Sequence, residues 1–289
     1  MQPWRSLLFV PGDQDDRIAK AAQRGADAII IDLEDSVSDQ SKPHARRQLA
    51  AHVPVLKAKG CAVVVRINAG WLIALDDIAA AISAGADALM LPKVESARVP
   101  VTVAEIAGEH RKAKGDPGAA IAMIALIESA KGLFRSEEIA AVDSMIGIAL
   151  GTEDFSLSLG VPPDPECLAL PCRQIALAAA TRGLMALAMP ISIAEFRNLD
   201  GFRLAARRAR TIGCTGALCI HPRQVDIINE HFSSSSSEIA WAAKAIEAWD
   251  AATAAGRSVA ALDGQMIDLP VVTRARRLLG AACMIRRPQ

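Results

Sequence analysis

Short apolar runs alternate with longer amphipathic stretches along almost the whole chain. The runs cover residues 6–10, 28–31, 62–65, 88–91, 121–127, 145–150, 184–188 and 217–220. Each suits a strand buried on both faces, and a helix-like segment follows nearly every one. Eight β-then-α units predict an α/β fold, a (β/α)8 TIM barrel over residues 1–232. Residues 233–289 are expected to form a C-terminal helical extension. Charged or turn-forming residues stand just past most runs: Pro11-Gly12, Asp32-Leu33-Glu34-Asp35, Arg66-Ile67-Asn68, Pro92-Lys93, Glu128, Glu153-Asp154, Pro190 and His221-Pro222. In such a barrel these positions form the C-terminal rim of the strands, where active sites lie.

An internal echo supports the repeat. The segment from Arg24 to Asp35 resembles that from Ala84 to Glu95. In each, a helix ends at a glycine (Gly25, Gly85), Asp follows, and a strand begins; glycine suits the left-handed helix C-cap. Asp13 and Ser41 are expected to cap helices, the second with Pro43 in its first turn, and Ser129 a helix running through Ile139. Five consecutive serines, 233–237, read as a linker. Beyond them come an amphipathic helix over 238–255, a polar turn over 262–268 and a last helix over 270–283. This segment is too small for an independent domain, so it is expected to pack on the rim or on a neighbouring subunit.

Composition narrows the function. A length of 289 residues suits one barrel of about 250 residues plus an extension. Hydrophobic residues make up 52% and aromatics only 3%, with no Tyr, so the core is expected to be Ala, Leu, Ile and Val. Lys plus Arg and Asp plus Glu number 32 each, which gives no global charge for nucleic acid or a membrane surface. The basic stretch 203–210 reads as a solvated helix face. No stretch reaches the roughly 20 apolar residues of a membrane span. The first residues read as strand and turn rather than signal peptide. Six scattered cysteines without CxxC spacing read as reduced thiols of a cytoplasmic protein, and no zinc set accompanies them.

The candidate chemistry lies at the rim. Glu128 and Glu153-Asp154 end the fifth and sixth strands, neighbours roughly 4.8 Å apart. Inward carboxylates there could share one divalent cation, and Mg2+ takes one or two carboxylates with water and substrate oxygens. Helix capping and rim ion pairs are the alternative for either acid alone; acids on adjacent strand ends favour metal. Glu153 and Asp154 point to different sides, and Asp154 is the better ligand candidate. Arg66 follows three valines, where an unpaired charge is costly to bury. It either forks onto a substrate carboxylate or pairs with Asp32 or Glu34, and both can hold. Asp32, Glu34 and Asp35 need cations such as Arg66 or Lys93. Lys93 could form a Schiff base, but an ion-paired lysine is the favoured reading. His221 reads as structural. Gly12, Gly70, Gly151 and Gly160 suit rim turns, and none belongs to a phosphate-loop motif.

Taken together, these segments resemble the citrate lyase beta-subunit-like branch of the HpcH/HpaI aldolase superfamily over nearly the whole chain. The resemblance rests on Arg5-Ser-Leu-Leu-Phe-Val-Pro-Gly12, Asp32-Leu-Glu-Asp-Ser-Val37 with Lys42 and Ala45-Arg46, Val65-Arg-Ile-Asn68, and Leu91-Pro-Lys-Val-Glu95. Leu126-Ile-Glu128, Gly151-Thr-Glu-Asp154, Ile220-His-Pro-Arg-Gln224 and Asp263-Gly-Gln-Met-Ile-Asp268 follow in family order. It implies a (β/α)8 barrel, usually a homotrimer, that binds Mg2+. It implies reversible carbon–carbon cleavage of a 3-hydroxyacyl-CoA thioester of citryl, malyl or citramalyl type, to acetyl-CoA or an analogue and a 2-oxo acid. By position, Glu128 and Asp154 resemble the metal ligands, Arg66 the substrate-carboxylate binder and Glu128 a substrate neighbour. Arg5 resembles a thioester-side contact, and Asp268 the acid/base residue supplied by an adjacent subunit. Departures from the family pattern are Ala188, Ala217 and the stretch 69–74. A malate-synthase-type transferase that hydrolyses its thioester, and a non-catalytic or complex-bound subunit, are the alternative readings.

Overall fold

The apolar runs form parallel strands because side chains rich in Val, Ile, Leu and Ala can be covered on both faces. A computed structural model describes residues 4–116 and 118–285. The strands are β1 (Ser6–Pro11), β2 (Ala28–Asp32), β3 (Ala62–Arg66), β4 (Ala88–Leu91), β5 (Ala122–Ile127), β6 (Met145–Leu150), β7 (Met185–Leu187) and β8 (Ala217–Cys219). They lie in one parallel sheet in the order β7-β6-β5-β4-β3-β2-β1-β8, with helices between them in sequence. The register sets Asp32 beside both Pro11 and Arg66. Closure is slight: β7 and β8 meet through one isolated bridge, Leu187 to Gly216. Together these features make a nearly closed (β/α)8 barrel.

Alternation along the strands divides the core in two. Leu7, Ile30, Val64, Met90, Ile124, Leu126, Ala149, Leu187 and Leu218 fill one cluster, the barrel interior. Their neighbours Leu8, Ile29, Ile31, Val63, Val65, Leu89 and Ile148 pack in the other, with the helices. This is the inward–outward period of two expected of a barrel strand. Ala188 and Ala217 both belong to the helix-side cluster.

The described residues divide into two compact units, 4–232 and 233–285. In the second, helices Ser236–Ala254 and Leu269–Ile285 flank a two-stranded hairpin, β9 (Ala260–Leu262) and β10 (Gln265–Ile267). Ala242, Ala245, Ile267 and Ala275 form its small core, with Trp241 and Trp249 packed against them.

Several local expectations change. Ser236 already opens a helix, and Ser235 caps it in a capping box with Glu238, so the serine run is largely a helix start rather than a linker. The expected polar turn is the β9–β10 hairpin, with Asp263 and Gly264 at φ +49° and +77°, as a two-residue hairpin loop demands. Ser129 does cap, accepting from the Gly132 amide, but its helix stops at Leu133 and a second covers Ser136–Ala140. Asp13 and Ser41 make no side-chain cap: Gln14 occupies the first cap position, and Ser41 has helical backbone angles. Among the described residues no helix is long and apolar enough to cross a membrane.

Candidate active site

The inward parity that fills the barrel continues to its rim. Phe9, Asp32, Arg66 and Glu128 each stand two residues beyond an interior residue: Leu7, Ile30, Val64 and Leu126. All four line one cavity of about 250 Å3, with Asp35, Ser36, Gly151, Thr152, Glu153 and Asp154 among its other walls. Parity therefore brings charges from separate strands to one place above a sealed apolar core.

Arg66 is held on three sides. Its Nε and Nη2 donate to Asp32 Oδ1 and Oδ2 at 2.6 and 2.7 Å, a bidentate fork. Its Nη1 lies 3.0 Å from Glu34 Oε2, an ion pair without hydrogen-bond alignment. Its guanidinium carbon sits 5.0 Å from the Phe9 ring centre, a cation–π contact. The pairing left open by the sequence is thus present. Burial alone would raise the Asp32 carboxyl, but Arg66, Ser36 and the Glu34 amide together hold it below its ordinary value. Burial opposes the charge on Arg66, and the three acids outweigh it and raise its pKa. Glu34 keeps a raised carboxyl because burial exceeds the help of Lys93 and Arg66.

Glu128 is placed by the end of β5 and by a glycine. It is buried, and its Oε2 accepts from the Lys93 amide at 2.6 Å. A Cβ on Gly151 would lie 2.6 Å from Glu128 Cγ, so only glycine lets the carboxylate lie across the end of β6. Burial pushes the Glu128 carboxyl up to about 8; the Lys93 amide opposes this, while the charges of Glu34 and Asp154 add to it. Glu153 and Asp154 stand in the first turn of the helix Thr152–Leu159, where the helix dipole favours acids. Glu153 turns to Ser192 Oγ at 2.7 Å and Thr152 Oγ1 at 3.2 Å. Asp154 has no hydrogen-bond or ion-pair partner among the described residues.

The donor set suits a hard cation. Five carboxylates line the cavity (Asp32, Asp35, Glu128, Glu153, Asp154) against one cationic side chain, Arg66. Asp32 is paired with Arg66, Asp35 lies 3.4 Å from Lys93 Nζ, and Glu153 is hydrogen-bonded to Thr152 and Ser192, which leaves Glu128 and Asp154 for a cation. Among the described residues no three His, Cys, Asp or Glu side chains gather as a metal cluster. Two carboxylates with the remaining positions open is the pattern Mg2+ accepts.

The other expected site residues lie elsewhere. Arg5 precedes β1 and so stands at the end of the strands opposite the rim. It forks onto Asp27 at 2.8 and 2.7 Å and reaches the Asn229 carbonyl. The structure does not bring it to the cavity. Asp268 belongs to the second unit, where its Oδ1 accepts from the Val271 amide at 3.1 Å and caps the last helix. His221 caps the helix Pro222–His231 and stacks on Phe196, a structural role. Lys93 is ion-paired, with Nζ 2.8 Å from Glu34. Sequence reading missed Phe9 and Ser36, although both share the motifs already singled out. Inward parity alone would have found Phe9. Ser36, whose hydroxyl donates to Asp32, depends on a loop path that parity does not reach.

A second groove, of about 500 Å3, shares Phe9, Ser36 and Ile220 with the cavity. Its outer wall carries Arg17, Lys20 and Arg24, which make no ion pair or side-chain hydrogen bond among the described residues.

Similar proteins match this chain over most of its length. The model of the family "HpcH/HpaI aldolase/citrate lyase" matches residues 5–222. Citrate lyase subunit beta of Escherichia coli (strain K12) is 33% identical over 282 residues, 96% of this chain and 93% of that protein. A (3S)-malyl-CoA thioesterase of Cereibacter sphaeroides (strain ATCC 17025) is 33% identical over 285 residues, 97% and 95% of the two. Among solved structures, CitE from Mycobacterium tuberculosis in complex with magnesium, acetoacetate and coenzyme A superposes with a TM-score of 0.75. It is 32% identical, over 96% of this chain and 98% of that one. The citrate lyase beta subunit from M. tuberculosis complexed with oxaloacetate and magnesium gives a TM-score of 0.65 at 30% identity, over 79% and 96%. With these matches and the rim just described, the chain belongs to the HpcH/HpaI aldolase/citrate lyase family.

Proposed function

We propose that this protein is a Mg2+-dependent carbon–carbon lyase that cleaves a 3-hydroxyacyl-CoA thioester of citryl, malyl or citramalyl type. Its products are acetyl-CoA or a close analogue and a 2-oxo acid. The observation that carries this reading is the convergence of Glu128, Asp154 and a held Arg66 on one cavity. Magnesium-bound CitE structures with oxaloacetate, and with acetoacetate and coenzyme A, support it. Glu128 and Asp154 would hold Mg2+, which supplies charge stabilisation and lowers the pKa of a substrate hydroxyl. Arg66 takes the carboxylate of the oxo-acid half through the N–H groups that Asp32 leaves free. Asp32 and Glu34 fix the guanidinium plane before substrate arrives, so little is lost in ordering it. The groove that leaves the cavity past Phe9 and Ile220 takes the thioester arm, and Arg17, Lys20 and Arg24 suit its phosphates.

A base removes the substrate hydroxyl proton, the carbon–carbon bond breaks, and its electron pair leaves on the thioester enolate. Protonation at carbon then gives the acetyl product. Asp268 is the proposed acid/base group, reaching the cavity of a neighbouring subunit in a homotrimer. The free thiols of the described cysteines fit a cytoplasmic setting.

The thioesterase relative supports a second reading, a malate-synthase-type enzyme in which CoA is hydrolysed from the 3-hydroxyacyl thioester itself. Incubation with citryl-, malyl-, methylmalyl- and citramalyl-CoA and Mg2+ separates the two. The lyase releases a 2-oxo acid together with an intact acyl-CoA. Free CoA without oxo acid supports hydrolysis, and neither product from any of the four refutes both.

A further inference from the structure

The loop after β4 holds one residue in an uncommon conformation. Lys93 has φ +52°, a region that residues with a side chain avoid. Neighbouring bonds hold it there. The Val94 amide donates to the Leu126 carbonyl at 3.1 Å. Glu95 accepts from Ser129 Oγ at 2.8 Å and from Lys131 Nζ at 2.7 Å. The Val94 carbonyl fills the space that a Cβ on Gly132 would need. Pinned this way, the Lys93 amide turns out of the sheet direction and donates to Glu128 Oε2 at 2.6 Å.

The same residue acts at its other end. Lys93 Nζ donates to Glu34 Oε1 at 2.8 Å and lies 3.4 Å from Asp35. The second Glu34 oxygen is the one 3.0 Å from Arg66 Nη1. Glu34 is buried, so losing the ammonium leaves it one nearby cation, Arg66, already shared with Asp32. An arriving carboxylate would then compete with two buried acids for one guanidinium.

We propose that Lys93 is a positioning residue that sets the two halves of the site against each other. Its amide fixes the Glu128 carboxylate, and its ammonium, through Glu34, fixes Arg66. The inference rests on the reading of Glu128 as metal ligand and Arg66 as carboxylate binder. Lys93 itself does not line the cavity.

Calorimetry on the full chain tests it, titrating Mg2+ first and then oxaloacetate at saturating Mg2+. Lys93→Met removes the ammonium and keeps the amide. It is expected to weaken oxaloacetate by about tenfold while Mg2+ affinity changes by less than about threefold. Lys93→Arg restores the charge and is expected to recover most of the oxaloacetate affinity. Gly132→Ala displaces the Val94 carbonyl and with it the Lys93 amide, and is expected to weaken Mg2+ by about tenfold or more. If that variant does not fold, Glu95→Ala, which removes the pins from Ser129 and Lys131, carries the same expectation. Unchanged oxaloacetate affinity in folded Lys93→Met overturns the inference. So do equal losses for both ligands with a lowered melting temperature, the mark of a merely structural residue. A wild-type chain that binds neither ligand overturns the site reading itself, a result distinct from wild-type binding with unaffected variants.

Discussion

Asp32 and Glu128 end strands of the same barrel, face the same way, and are pushed in opposite directions by their neighbours. Burial raises both carboxyls; Arg66 reverses the effect at Asp32, and nearby acids reinforce it at Glu128. Asp32→Asn should therefore destabilise by about 3 kcal/mol at pH 7, because it leaves a buried guanidinium short of a counter-charge. Urea unfolding measures this, and a loss under about 1 kcal/mol would mean Glu34 compensates fully. The sign of the pH dependence follows from the lowered carboxyl. Its stabilisation is full above the ordinary value of 3.8 and fades as pH falls through the folded value, so wild type and variant should converge in acid. The thiols give a second residue-scale expectation. Burial raises Cys172 and Cys219 strongly and Cys214 to about 12, whereas Cys61 and Cys167 are partly exposed. Native protein treated with a maleimide should be modified at Cys61 and Cys167 and spared at Cys172, Cys214 and Cys219, as peptide mass mapping would show.

Strand ends were legible because hydropathy and charge both change there, and loops were not. Arg66 after three valines and Glu128 after an apolar run announce a rim, and the inward period of two explains why they meet. Nothing in composition announces that Lys93 adopts φ +52°, that Ser192 takes Glu153, or that Glu128 lies on Gly151. Those depend on contacts between loops distant in sequence. Gly151→Ala tests one of them: the added methyl must displace Glu128, so Mg2+ affinity should fall by about tenfold or more with the circular dichroism spectrum retained. Wild-type affinity would mean that Glu128 is not a ligand in this rotamer. The serine run shows the converse error, a local signal read at the wrong scale. Ser235 with Glu238 is a capping box, legible from S-x-x-E spacing but hidden among five serines. Ser235→Ala should cost about 1 kcal/mol in the second unit, and Ser234→Ala almost nothing, followed by the fluorescence of Trp241 and Trp249.

At the scale of the molecule, balance in the totals conceals imbalance in place. The chain has 32 basic and 32 acidic residues, yet one rim cavity gathers five acids and the groove beside it three unpaired cations. The barrel was readable from its repeating apolar runs; the weak closure between β7 and β8 was not, since hydropathy does not count ladder hydrogen bonds. The second unit poses the remaining question, why an eight-stranded barrel is followed by a hairpin that leads into Asp268. That aspartate caps the last helix through its Oδ1, a role asparagine performs equally well. Asp268→Asn therefore removes the acid while keeping the cap. If Asp268 is the proposed acid/base group, turnover should fall by roughly 10²–10⁴-fold with Mg2+ affinity and melting temperature nearly unchanged. If it serves a neighbouring subunit, mixing inactive Asp268→Asn chains with inactive Glu128→Gln chains should restore activity after subunit exchange, since a mixed oligomer pairs one intact metal site with one intact Asp268. Verified exchange without recovery would exclude the cross-subunit arrangement, and an active Asp268→Asn protein would exclude the role itself.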